Sequence, residues 1–110
     1  MGRIQVLDCT LRDGGYCNQW KFGYENAKKI ISSLVNAGVE IIECGFITKR
    51  VEYDNNITKF TDVAQIRGIL PQSNDDKMFV AMMNYGECDL KALPKYDGSS
   101  INGIRVAFHK

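Results

Sequence analysis

The feature that most restricts the fold is the run Val39-Glu40-Ile41-Ile42-Glu43-Cys44-Gly45-Phe46, rich in β-branched residues and apolar at most positions. A strand with one wet face alternates apolar and polar residues. A run this continuous instead fits a parallel strand covered on both faces, closed here by a glycine. Before it, Tyr24 to Ala37 carries the helical period, with Ala27, Ile30, Ile31, Leu34 and Val35 on one stripe. Gly38 follows, where a helix end favours a left-handed residue. The two elements together read as half of a compact βαβ unit.

The same alternation extends to both ends of the chain. Ile4, Val6 and Leu7 predict a buried first strand, with Leu11 extending its apolar character. Arg12 and Asp13 stand just before Gly14-Gly15, where the chain is expected to turn through positive φ. Asn18 to Gly23 reads as a polar and aromatic loop. Thr48 to Thr58 is polar and too long for a tight turn, so it is either a binding loop or disordered. Phe60, Val63, Ala64, Ile66, Ile69 and Leu70 mark a second helix stopped by Pro71. Lys77 to Asn84 is a third strand, Gly86 to Lys95 at most a short helix, and Asn102 to Phe108 a fourth strand.

The order β-α-β-α-β-(α)-β calls for parallel strands joined by crossover helices. Two architectures satisfy it: a small open doubly wound sheet, or the N-terminal half of a (β/α)8 TIM barrel. A whole barrel takes about 250 residues. The sequence stops soon after its fourth strand, without a helix to cover it. Residues 1–110 are therefore expected to be the first four βα units of a barrel catalytic domain, truncated after strand four.

Composition narrows the function. The 110 residues are 45% hydrophobic and 25% charged, enough for one modest core. The net charge is +1, with acids and bases interspersed and no basic run. Nucleic acid and membrane surfaces are thus not expected partners. No apolar stretch approaches the roughly 18 residues that would span a bilayer, and no signal-peptide core is visible, so a cytoplasmic location is expected. The four cysteines lack CxxC spacing. Cys9 and Cys44 fall in apolar runs and read as small buried thiols of a reducing compartment. The single histidine, His109, does not build a zinc site.

The polar groups share an address. Arg12 and Asp13 end strand one, Glu43 stands near the end of strand two, Asn84 ends strand three and His109 follows strand four. In parallel α/β sheets that edge is where ligands bind. Arg12 supplies a planar fork suited to a carboxylate, an enolate oxygen or a keto group. Asp13 supplies a hard oxygen ligand for Mg²⁺ or Mn²⁺. Glu43 either orients Arg12 or is a structural counter-ion. Asn84 and Tyr53 are candidates to line the pocket, and Met78, Met82 and Met83 are expected in the core. Trp20 and Phe22 would cover the barrel or a subunit contact. An inward Arg105 needs a partner, either Glu43 or a substrate carboxylate.

The segment Asp8-Cys9-Thr10-Leu11-Arg12-Asp13-Gly14, followed about thirty residues later by Ile42-Glu43-Cys44-Gly45-Phe46, resembles the DRE-TIM metallolyases. That family includes HMG-CoA lyase, pyruvate carboxyltransferase domains and the 4-hydroxy-2-oxovalerate aldolases, and the wording LDCTLRDGGY is most similar to the last branch. The resemblance implies a (β/α)8 lyase that cleaves or forms a carbon–carbon bond next to a 2-keto acid. It implies a divalent metal, Mn²⁺ or Mg²⁺, on Asp13, and Arg12 stabilising an enolate. Glu43 completes the Asp-Arg-Glu set.

Two departures from the family pattern stand out. The family's His-x-His pair from strand seven is absent, so the remaining metal ligands would lie outside this chain, and the 110 residues alone are expected to be inactive. Where related aldolases place an acid/base histidine, this chain has Tyr16, whose phenol has a reference pKa of about 10 against about 6.5 for imidazole. Tyr16 is the candidate proton-transfer residue, with Asn84 and His109 as substrate contacts. The alternative is a non-catalytic α/β module in which Arg12, Asp13 and Glu43 form only a structural network. In either case exposed sheet edges are expected to favour self-association.

Overall fold

The computed structural model of the chain describes residues 4–72, 77–87, 91 and 93–108. Five strands form one sheet: β1 (Leu7–Asp8), β2 (Ile41–Ile47), β3 (Lys59–Phe60), β4 (Met78–Asn84) and β5 (Gly103–Ala107). β1, β2, β4 and β5 lie side by side in that order, β3 flanks β2, and every pairing is parallel. The order never reverses. A doubly wound sheet reverses at its switch point, whereas a barrel wraps strand after strand. The chain has an α/β fold with the architecture of the N-terminal half of a (β/α)8 barrel.

β1 and β3 share one edge of β2. β1 pairs with its start, Leu7 opposite Ile41 and Asp8 opposite Ile42. β3 pairs with its end, Phe46 opposite Lys59 and Ile47 opposite Phe60. The edge changes hands because the chain leaves the sheet at Cys9. Asp8 Oδ1 accepts the free N–H of Thr10 at 2.9 Å, and the carbonyl of Cys9 accepts from both Arg12 and Asp13. This starts a helical turn, α1 (Thr10–Asp13), which continues as a 3₁₀ turn over Gly14–Cys17. The expected first strand is therefore corrected. Ile4 and Val6 are exposed, and Arg12 and Asp13 ride on a helical turn beyond the strand end.

Helix α2 (Tyr24–Asn36) forms where its stripe predicts, with Ala27 and Ile31 buried and Gly38 left-handed at φ +86°. The expected second helix from Phe60 is not seen. Phe60 belongs to β3, and only a seven-residue 3₁₀ helix, Val63–Ile69, follows. Asp62 caps it, accepting from Ala64 N at 2.9 Å while Gln65 Oε1 takes the N–H of Asp62. Too few residues then remain before Pro71 for a stable α-helix. α2 and this 3₁₀ helix cover one sheet face, where Ile31, Ile42, Cys44, Ile66, Phe79 and Ala81 form the core.

Glu43 and its partner Val80 lie on the opposite face. Met83 is buried as expected, but Met82 is only half-buried and Met78, at the start of β4, is exposed. Cys44 is buried, while Cys9 lies outside the strands and is half-exposed; it, Cys17 and Cys44 are all free thiols. The short helix allowed for Gly86–Lys95 falls partly outside the described residues. Among the described residues, no helix is long and apolar enough to cross a membrane.

Candidate active site at the carboxyl edge of the sheet

Glu43 organises the edge. It is fully buried, and each carboxylate oxygen meets a different arginine. Arg12 Nε donates to Oε1 at 2.6 Å and Arg105 Nη1 donates to Oε2 at 2.9 Å. Arg12 Nη1 also donates to Asp13 Oδ1 at 3.1 Å. Three elements thus converge: α1, β2 and β5. The main-chain reason is a bulge in β2. Glu43 is opposite Val80, but Phe46 is already opposite Met82, so β2 advances three residues while β4 advances two.

Gly45 sits within that bulge at φ +150°. A Cβ there would lie 2.1 Å from the carbonyl oxygen of Thr58. Only glycine lets the segment before β3 come close enough for Phe46 N to donate to that carbonyl, at 3.0 Å.

Arg12 is held from several sides. Its carbonyl accepts the indole N–H of Trp20 at 2.7 Å, and its guanidinium carbon lies 5.9 Å from the Phe46 ring centroid. Burial opposes the charged form of Arg12. The hydrogen bond and charge of Glu43, aided by Cys9 and Asp13, outweigh it, so the guanidinium is held above its ordinary value. Arg12 is a cation under all working conditions.

Trp20 fixes the turn that carries Arg12. Gln19 and Trp20 take left-handed backbone at φ 55° and 60°, unusual for residues with side chains. The arrangement brings the indole against Gly15, where a Cβ would lie 2.0 Å from Cδ1. Gly14 itself is helical at φ −62°, and Gly15 is not left-handed either. The expected positive-φ turn is therefore absent, and glycine is needed at position 15 for close approach. Trp20 packs edge-on against Phe46 and Tyr16, and Lys59 Nζ stands 3.9 Å from its ring centroid. Thr58 ties the same knot, donating its N–H to Trp20 O at 3.0 Å and its hydroxyl to Leu11 O at 2.6 Å. The long loop before Thr58 is anchored in this way, also through Gly23 N to Asn56 O at 2.8 Å.

The other candidates are less engaged. Asp13 is 62% exposed, with Oδ1 on Arg12. Tyr16 is exposed on the 3₁₀ turn, in contact with Trp20. Asn84 ends β4 at the same edge, but among the described residues its side chain does not join the Glu43 cluster. Tyr53 is exposed, near Phe60, and burial followed by Tyr24 and Asp54 raises its phenol. His109 lies outside the described residues. A cavity of about 470 Å³ lies elsewhere, between the Val63–Ile69 helix and residues 93–104.

No group of three or more His, Cys, Asp or Glu among the described residues could hold a metal ion. Asp13 fits as one ligand of a hard divalent cation, because its carboxylate is solvated and only one oxygen is engaged.

Comparison with known proteins agrees with this geometry. The model of a family described as HMGL-like matches residues 3–105. A 4-hydroxy-2-oxovalerate aldolase from Geobacillus genomosp. 3 is 42% identical over 40 residues, covering 36% of this chain and 12% of that protein. The similarity therefore spans far less than two thirds of that relative. No solved structure matches at the same significance.

Proposed function

The chain belongs to the HMGL-like family, and from that premise we propose that it carries part of the active site of a metal-dependent carbon–carbon lyase acting next to a 2-keto acid, of the 4-hydroxy-2-oxovalerate aldolase type. A lyase or aldolase type of function agrees with both the family and the relative. The observation that carries the finer reading is Arg12, fixed by buried Glu43 on one side and hydrogen-bonded to solvated Asp13 on the other.

Cleavage of a 4-hydroxy-2-oxo acid removes the hydroxyl proton and breaks the bond between the hydroxyl-bearing carbon and the carbon next to the keto group. The bonding electrons pass to the keto oxygen as an enolate, an aldehyde leaves, and the enolate is protonated on carbon. Arg12 presents a permanent cation to the oxygen where charge develops, pre-oriented by Glu43. Asp13 would hold Mn²⁺ or Mg²⁺, whose Lewis acidity polarises the keto group when bound. Tyr16, exposed and in contact with Trp20, is the proposed proton-transfer group. Asn84 and His109 are the proposed substrate contacts. The reading includes a cytoplasmic setting, and, for these 110 residues alone, no useful activity together with self-association through exposed sheet edges.

The test is turnover of 4-hydroxy-2-oxo acids by the intact protein. Mn²⁺-dependent activity lost in Asp13→Asn is the expected result. A competing reading, a non-catalytic α/β module, draws on the completeness of Glu43's two ion pairs. It would be upheld by absent turnover and by unchanged melting with or without Mn²⁺.

A further inference from the structure

The two arginines on Glu43 are not equally committed. Arg12 is 15% exposed and uses Nε on Glu43 and Nη1 on Asp13. Arg105 is 42% exposed and, among the described residues, uses Nη1 alone. A guanidinium carries five N–H donors in a rigid fork. Three donors remain on Arg12 and four on Arg105, and those of Arg105 lie on the side chain more open to solvent. The charge balance points the same way. Glu43 is one buried carboxylate between two cations, and the other nearby carboxylate, Asp13, is engaged with Arg12.

We propose that Arg105 binds the carboxylate of an anionic substrate, while Arg12 faces the oxygen on which charge develops. This rests on the 2-keto acid reading and deepens it by adding a residue that selects for the acid group. The position suits the task. Arg105 on β5 is opposite Met82 on β4, so its side chain passes over β4 to reach Glu43 on β2, spanning three strands of the mouth. Pinned at one nitrogen, the guanidinium has already lost part of its rotamer freedom, which lowers the ordering cost when a ligand arrives. Arginine gives a carboxylate two parallel N–H bonds, which a lysine cannot.

The measurement is calorimetric binding of pyruvate and of pyruvamide, which lacks the negative charge, to the intact protein. It is made free of divalent metal, so that an ion's own charge does not enter. The wild type is expected to prefer pyruvate by about tenfold or more, as for a hydrogen bond to a charged group. Arg105→Gln is expected to abolish most of that preference by weakening pyruvate alone, and Arg105→Lys to retain part of it. Equal weakening of both ligands, or an undiminished preference in Arg105→Gln, overturns the proposal and leaves Arg105 as Glu43's counter-ion. Should Arg105→Gln fail to fold, Arg105→Lys decides: unchanged preference for the acid overturns the proposal. Lyase turnover with an unaltered preference in the variants sinks this subsite alone. A protein that turns over no 4-hydroxy-2-oxo acid yet loses the preference on Arg105→Gln sinks the lyase reading alone.

Discussion

Arg12 and Arg105 share one carboxylate but belong to regions of opposite character. On the β1 side, Arg12 sits on a turn tied down by Trp20, Thr58 and Phe46, with its main-chain carbonyl as well as its side chain engaged. On the β5 side, Arg105 projects from a strand whose Val106 is exposed and reaches Glu43 through one bond. The contrast shows how one buried anion can serve two purposes. Where the surroundings over-determine a cation, its position is fixed in advance of any reaction. Where a single bond holds it, the group keeps donors for something else.

Removing the shared anion should have the largest effect. Glu43→Ala leaves two cations facing a desolvated gap and is expected to cost about 3–5 kcal/mol in urea unfolding. A loss below about 1 kcal/mol would mean that Glu43 is more solvated than its burial indicates. Next comes the asymmetry itself. Arg12→Ala strands buried Glu43 and is expected to cost about 2–3 kcal/mol, whereas Arg105→Ala, an exposed and screened partner, should cost about 1 kcal/mol or less. Equal losses would erase the distinction between the two regions. Trp20→Phe keeps the ring but deletes the donor to Arg12 O. About 1 kcal/mol of stability is expected to go, with lyase turnover by the intact protein falling more steeply than melting temperature.

The smallest effect is a pH dependence behind the sheet. Burial, then the negative Glu43, raise the Cys44 thiol well above its ordinary 9.0. A raised folded value contributes stability that is present below the unfolded value and lost as pH rises past it. Melting temperature should therefore fall above pH 9, and Cys44→Ala should flatten that fall.

The regular elements were legible because their signals are local. The continuous apolar run gave β2, the stripe from Ala27 to Val35 gave α2, and Gly38 marked the helix end. Less legible were features made by distant partners. Ile4 and Val6 have strand propensity but no neighbour, so they stay exposed. Phe60 fits a helical period, yet the vacant half of β2's edge draws it into a strand. Gly14-Gly15 looks like a left-handed turn, and the true demand is room for an indole five residues later. The Arg12–Glu43 meeting was foreseeable from strand order. The role of Trp20 was not, because nothing in its neighbourhood signals two consecutive left-handed residues.

Trp20 is also the chain's sole tryptophan, and its indole N–H is bonded to the main chain of Arg12. Within these 110 residues its emission is thus a native optical gauge of that one turn. Quenching or a spectral shift on adding ligand would register a rearrangement beside the guanidinium without any label being attached.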